Sequence, residues 1–236
     1  MFIHNNLSFS IYFGDKKDCC VKSFNEISVE SFEKIRKVLG IDQLIFLNQT
    51  HSIDGVCINS FHEKKDQLIL FKNSGDYIIT NQRRIGVGVV TADCMPVLFY
   101  DPVKHISAIV HVGWRGSVNG IIYKVLNQMQ EEFNCKKRDV VSYLGPCAKV
   151  CCYTIQADFL SYLEDSNFFD QIVFKKGEVL FFDLVRFVKL QLIDSGISAD
   201  KIKEEYNICT ICDENFFSYR RQGLLAGRQP TIIVLR

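Results

Sequence analysis

Apolar positions along this chain fall into blocks of two kinds. Those at Leu7 to Phe13, Cys19 to Phe24, Leu44 to Leu47, Asp76 to Thr80, Gly86 to Thr91, Val97 to Tyr100, Ile106 to Val112, Val140 to Leu144, Val179 to Phe182 and Thr231 to Leu235 are short and rich in β-branched and aromatic residues, and they predict strands. Between the first two, Gly14 to Asp18 reads as a hairpin turn. Three other stretches carry a helical period. Val29, Phe32, Ile35, Val38 and Leu39 follow a Ser28 cap and stop at Gly40. Val118, Ile121, Ile122, Val125, Leu126 and Met129 share one face of a helix from Ser117 to about Phe133, and Leu184, Val185, Val188 and Leu192 follow Asp183 and stop at Gly196. Ala157 to Leu163 is a shorter helix candidate, and Ser198 to Glu205 one more helical turn. Residues 60–76 are polar at both ends and predict a surface run, with His62 in solvent and Asp76 as a turn residue. Several strands lie too close together for crossover helices. The pattern therefore predicts a single α+β domain over residues 1–236, built on mixed β-sheets rather than a doubly wound sheet.

Length and composition narrow the class. With 236 residues, 47% of them hydrophobic, the chain can bury a full core. A net charge of +1 without a basic run gives nucleic-acid binding no support. No stretch has the roughly 20 apolar residues of a membrane span, and the N-terminus lacks the pattern of a signal peptide, so a cytoplasmic protein with no membrane association is expected. In that reducing compartment the ten cysteines are expected to be free thiols packed as small hydrophobes.

Candidate chemistry gathers around Gly86 to Asn119. Asp93-Cys94 ends one strand and His111 sits near the end of a later one, while His51 closes the Leu44 strand in the same kind of polar turn. Two imidazoles and a thiolate suit zinc, and catalytic zinc keeps three protein ligands and one open position. A lone histidine in an apolar run is also a common core residue, and the residues alone leave both readings open. Gly113 to Gly116 feeds a helix, where free backbone N–H groups beside Arg115 could hold an anion. Trp114 between them could stack on a base but reads more simply as core. Tyr219, Arg220, Arg221 and Arg228 lie in a glycine-punctuated stretch that could clamp an oxyanion but reads more simply as a solvated surface loop. Cys147, Cys151 and Cys152 with Cys209 and Cys212 invite a structural zinc site, yet the spacings match no ribbon or knuckle, so buried thiols are expected.

The motifs NQTHS, TADCMPVLFYDP, VHVGWRG, LGPC to CCY, CTICDENFFSYRRQG and GRQP, in this order, make the chain from about Leu44 onward resemble the YfiH-like family. Its members have been described as zinc-dependent purine nucleoside phosphorylases, as multicopper polyphenol oxidases and as peptidoglycan editing factors. The resemblance implies a sandwich of mixed β-sheets with flanking helices, and a zinc ion on His51, Cys94 and His111. The usual N-terminal arginine-glycine motif is absent here, and Gly75-Asp76 stands where the family often has alanine before the aspartate.

What the resemblance implies for function is phosphorolysis of adenosine, inosine and methylthioadenosine, with adenosine deamination. The partners would be a purine nucleoside and phosphate, and no obligate protein partner is inferred. Asp93, Cys94, Arg115 and Asp76 are the candidate catalytic groups. Gln49, Gly113, Arg115, Tyr219, Arg220 and Arg221 are the candidate substrate and phosphate contacts. The alternatives are an amidase acting on peptidoglycan precursors, by zinc or by a Cys94-His111 pair, and a copper oxidase, for which five histidines are few. Copper could replace zinc in vitro. A non-catalytic, metal-stabilised binding protein is the reading from outside enzymology.

Overall fold

The computed structural model describes residues 2–22, 26–59 and 68–236. The expectation for His62 lies outside them. With strands and helices numbered in chain order, one mixed sheet runs β1 (Phe2–Asn5), β2 (Phe9–Phe13), β15 (Gln229–Leu235), β7 (Ile85–Thr91), β3 (Gln43–Asn48) and β5 (Leu68–Ser74). A second runs β14 (Ile202–Lys203), β10 (Val141–Leu144), β8 (Met95–Asp101), β9 (Ile106–Val112), β6 (Tyr77–Thr80) and β4 (Gly55–Ile58). A small third sheet joins β11 (Thr154–Ile155), β13 (Val179–Phe182) and β12 (Val173–Lys176). The helices are α1 (Val29–Leu39), α2 (Trp114–Val118), α3 (Ile121–Phe133), α4 (Phe169–Ile172), α5 (Leu184–Asp194) and α6 (Tyr219–Gln222).

The strands read as continuous apolar runs because both faces of each large sheet are covered. On β3, Ile45 and Leu47 turn to the core between the sheets, where they meet Ile78, Leu98 and Ile109 of the second sheet. Their neighbours Leu44 and Phe46 face outward onto Phe32, Ile35 and Leu39 of α1. On the far side, Ile79, Val97, Phe99 and Val110 pack with Ile122, Val125 and Met129 of α3 and with Val188 and Leu192 of α5. The result is a mixed α/β sandwich with helices outside two facing sheets, as expected. Among the described residues no helix is long and apolar enough to cross a membrane.

Helix ends follow their caps. Ser28 accepts from the Ser31 N–H, Gly40 closes α1 at φ 61°, and Asp183 accepts from the Arg186 N–H at the start of α5. The boundaries differ from expectation where a local signal was outweighed by context. Leu7 is 99% exposed in the turn of a β1–β2 hairpin, so the strand begins at Phe9. Gly14 to Asp18 is no hairpin turn: it enters a 3-10 turn capped by Asp15. Val21 makes only isolated bridges, to Ile27 and Arg228, in place of the expected strand. Residues 68–74 lie at the surface as expected, but as edge strand β5, parallel to β3, rather than as an irregular run. The helix expected from Ser117 is two helices, broken at Gly120 with φ 80°. Val29 and Val38 are more than half exposed, so α1 buries a narrower stripe than its period suggested.

Topology brings distant segments to one edge. Strands β3 and β7 run parallel, so the turn after β3 and the TADC corner after β7 leave the sandwich together. That corner passes from the first sheet to the second, where β8 starts at Met95 opposite Val112. The antiparallel β8–β9 pair thereby places His111 opposite Pro96, and the β6–β9 pair sets Asp76 beside it, with the His111 N–H donating to the Asp76 carbonyl at 2.7 Å.

Candidate metal centre

At this edge His51, Cys94 and His111 converge, each offering one ligand atom, with these atoms all within 4.8 Å of one another. Cys94 Sγ lies 3.8 Å from His51 Nε2, and the two imidazole rings meet edge to face, 4.7 Å between centroids. A metal ion could be held there. The structure therefore brings together the three residues that strand-end position suggested.

Asp76 combines the two positions that the sequence leaves open for it: it sits at the bend between β5 and β6, yet it is fully buried and turned into the site. Its carboxylate accepts from the backbone N–H groups of Thr50, His51 and Ser52 and from the Ser52 hydroxyl, fixing the turn that carries His51. It also faces His111 Nδ1 at 2.8 Å. Because a carboxylate can only accept, Nδ1 carries the proton and Nε2 is free to face a metal. Burial would raise the Asp76 carboxyl, but the His111 ring and the Ser52 donors outweigh it and hold the group at about 2. Asp76 thus ties the turn bearing His51 to the His111 ring.

The ligands themselves are electrostatically coupled. Burial opposes ionisation of Cys94, yet His111 and then His51 bring its thiol down to about 6. Burial equally resists charge on His111, and the Cys94 thiolate with Asp76 raises it to about 9. Two backbones here are strained: His51 has φ 60° and Asp93 has φ 87°, a region non-glycine residues rarely occupy. Gly113 is required by contact. A Cβ there would lie 3.0 Å from His51 Cδ2 and 3.1 Å from Cys94 Sγ.

The trio opens onto a cavity of about 820 Å³ lined also by Gln49, Asp93, Trp114, Arg115, Tyr153, Tyr219, Arg220 and Arg228. The expected substrate contacts separate into two groups. Arg115 and Tyr219 face the cavity, and the Arg115 guanidinium stacks 4.2 Å over Trp114 without a hydrogen bond among the described residues. Arg220 also lines it, over the Tyr153 ring at 5.2 Å, with one guanidinium N–H on the Thr154 carbonyl. Arg221 does not belong: its guanidinium donates to the carbonyls of Thr210, Ile211 and Phe216 and knits the loop instead. Gln49 lines the cavity, but its amide closes onto the Val90 backbone, donating to its carbonyl and accepting from its N–H. Trp114 is both core and wall, packed on Phe159 and Tyr162. Arg228, the third arginine of the expected clamp, also lines the cavity, whereas Tyr153 was missed. Only its motif pointed to Tyr153, which has no distinctive local pattern.

Asp93 joins remote segments. Its carboxylate accepts from the Thr210 hydroxyl at 2.7 Å, the Ser218 hydroxyl at 3.0 Å and the Arg220 N–H at 2.6 Å. The cysteine-rich turn beside it also departs from expectation. Cys147 and Cys209 are buried, but Cys151 and Cys212 are exposed and Cys152 is half-buried, so packing does not account for them.

Comparisons with known proteins agree on kinship. The family described as multi-copper polyphenol oxidoreductase laccase matches residues 6–236. A purine nucleoside phosphorylase of Clostridium acetobutylicum is 34% identical over 232 residues, covering 96% of this chain and 92% of its own. One of Aquifex aeolicus is 34% identical over 161 residues, covering 68% and 71%. The crystal structure of Bacillus licheniformis hypothetical protein YfiH superposes with a TM-score of 0.83 at 21% identity, over 97% of this chain and 93% of that one.

Proposed function

This chain belongs to the multi-copper polyphenol oxidoreductase laccase family, and from that premise we propose that it is a zinc-dependent purine nucleoside phosphorylase acting as one catalytic domain, with adenosine deaminase activity at the same site. The observation that carries the reading is one cavity lined by a His51, Cys94 and His111 donor trio, by Arg115 and Arg220, and by the aromatic rings of Trp114, Tyr153 and Tyr219. Relatives named purine nucleoside phosphorylase support it.

The donor set fits one zinc ion: two imidazoles and a thiolate, with the His111 tautomer set by Asp76 and the remaining side turned to the cavity. Bound there, zinc would supply Lewis acidity at a single open position. The family's copper description fits less well. A polyphenol oxidase needs several coppers on many histidines, and the other described histidines, His4 and His105, are engaged with the hydroxyls of Tyr206 and Tyr100.

The chain's own residues would do the rest. A cavity of about 820 Å³ is in the range of small-ligand sites and takes a nucleoside beside phosphate. A purine would stack among Trp114, Tyr153 and Tyr219. Phosphate would sit on Arg115, whose guanidinium is free to offer paired N–H donors, with Arg220 adding charge. Among the described residues Asp93 is the carboxylate lining the cavity, and of the two that sequence reasoning offered for proton transfer it is the one we assign.

A second reading has one observation in its favour. Cys94, His111 and Asp76 form a line of thiol, imidazole and carboxylate that would suit nucleophilic attack on an amide, as in a peptidoglycan-precursor amidase. A thiolate held by zinc is a poor free nucleophile, so the two readings oppose each other over metal.

The test is product analysis by mass spectrometry after zinc-loaded protein meets adenosine, inosine or methylthioadenosine, with and without phosphate. Free base and ribose 1-phosphate, or its methylthio counterpart, are expected only with phosphate and not with His51→Ala. Unchanged nucleosides in metal-bound protein would defeat this reading, and amide hydrolysis that survives chelation would establish the second.

A further inference from the structure

Four cysteines outside the site come together across two loops. Cys151 and Cys152 lie in the turn after β10, and Cys209 and Cys212 in the loop after β14. The loops are already laid side by side. Cys147 and Cys209 form a parallel bridge, the Cys147 N–H donates to the Ile208 carbonyl, and the Thr210 N–H returns a bond to the Cys147 carbonyl, each at 3.0 Å. Asn207 Nδ2 donates to the Gly145 carbonyl beneath them.

On this frame the sulfurs of Cys151, Cys152, Cys209 and Cys212 all lie within 4.8 Å of one another. Cys152 and Cys212 are 3.1 Å apart, and Cys151 and Cys212 3.6 Å. A zinc ion about 2.3 Å from four sulfurs would space them about 3.8 Å apart. Both spacings lie below that value, and no pair exceeds 4.8 Å, so small shifts of the side chains would seat the ion. We propose that Cys151, Cys152, Cys209 and Cys212 bind one zinc ion as a closed tetrathiolate site, distinct from the His51, Cys94 and His111 centre.

Exposure and ligand chemistry favour a metal over packed thiols. Cys151 and Cys212 are exposed, so they add nothing to the core, yet both turn toward the cluster. Thiolate sulfurs select zinc among the abundant divalent cations.

The site would serve as a staple for the cavity wall. Thr210, between two ligands, holds Asp93 through its hydroxyl, and Tyr153, next to Cys152, lines the cavity beneath Arg220. Closing the two loops with a metal therefore fixes the side of the cavity opposite in sequence to the histidine ligands. This inference stands whether or not the nucleoside reading does.

The experiment counts metal in the full chain, purified reduced, exposed to Zn2+ alone and desalted. His51→Ala/His111→Ala protein is expected to retain one zinc per chain and to lose it on addition of Cys151→Ser/Cys212→Ser. Replacing Zn2+ by Co2+ in the histidine double variant should give the intense thiolate-to-cobalt charge-transfer band of a sulfur-only site. Absence of zinc from that variant, or its retention after both serine substitutions, would overturn the proposal. Peptide mapping of wild-type protein is independent of whether variants fold. Zinc should block alkylation of all four cysteines, and chelator should restore it. Equal labelling with and without zinc, or a Cys152–Cys212 disulfide in the reduced, zinc-exposed protein, would also overturn the proposal.

Discussion

Asp76 Oδ1 meets His111 Nδ1 at 2.8 Å with both side chains buried, and the same carboxylate accepts the N–H groups of the turn bearing His51. One residue thus orients two of the three candidate metal ligands, from strands of different sheets.

Asp76→Asn would replace an acceptor by a group that also donates, leaving the 50–52 turn and the His111 tautomer without their anchor. Zinc affinity at the trio should fall roughly 10- to 100-fold, as for other partners that orient metal ligands. Competition with a chromophoric chelator measures this, and an unchanged affinity would remove Asp76 from the centre.

The coupled thiol and imidazole predict a pH signature in metal-free protein. With Cys94 at about 6 and His111 at about 9, thiolate and imidazolium coexist between those values. Alkylation of Cys94, followed by peptide mass spectrometry, should therefore rise as pH passes about 6 rather than 9, and zinc should suppress it. For stability the sign follows. The lowered Cys94 value contributes stability above its unfolded range that is lost as pH falls through about 6. The raised His111 value contributes stability below its unfolded range that is lost as pH rises through about 9. As pH rises from about 6.5 to 9 the gain at Cys94 offsets the loss at His111, so the Tm of chelated protein should stay nearly level from there to above 9 and dip only as pH falls through about 6.

Gly113→Ala and Gly116→Ala form a matched pair. A Cβ on Gly113 meets two ligand side chains at 3.0 and 3.1 Å, whereas one on Gly116 meets its nearest neighbour at 3.5 Å. Gly113 has φ −84°, which alanine adopts freely, so its substitution should weaken zinc binding with little change in Tm. Gly116→Ala should bind zinc nearly as the parent does.

Arg115 and Arg221 should part company in kinetics. Loss of Arg115, worth ~1.5–3 kcal/mol as a charged hydrogen-bond donor, should raise the KM for phosphate and leave Tm unchanged. Arg221→Ala deprives three carbonyls of their donor, so Tm should drop, while phosphate KM moves little at temperatures where the protein stays folded.

Much of this architecture was legible before any contact was known. Local signals located α1, α5 and most strands, because caps and hydrophobic period act within a few residues: Ser28 and Asp183 cap their helices as read. The His51, Cys94 and His111 trio was visible as polar residues at strand ends, and the motif resemblance joined them. Helix α2 was hidden because Gly120 breaks a period that otherwise continues, and α4 with β12 was hidden because Phe169–Lys176 carries no clear alternation.

The sequence by itself determined which segments are strands and which are helices, and hence a mixed-sheet α+β domain, since those periods are written in residue spacing. The stacking of two sheets with helices outside was implied only by the motif resemblance. Tertiary structure alone decided the chemistry of single side chains. Asp76 became an orienting carboxylate, Arg221 a loop tie and Gln49 a partner of the Val90 backbone. Cys151, Cys152, Cys209 and Cys212 became one cluster. Each outcome depends on which remote groups arrive within hydrogen-bond or van der Waals reach, and that is set by strand order and register across the two sheets, not by the neighbours each residue has along the chain.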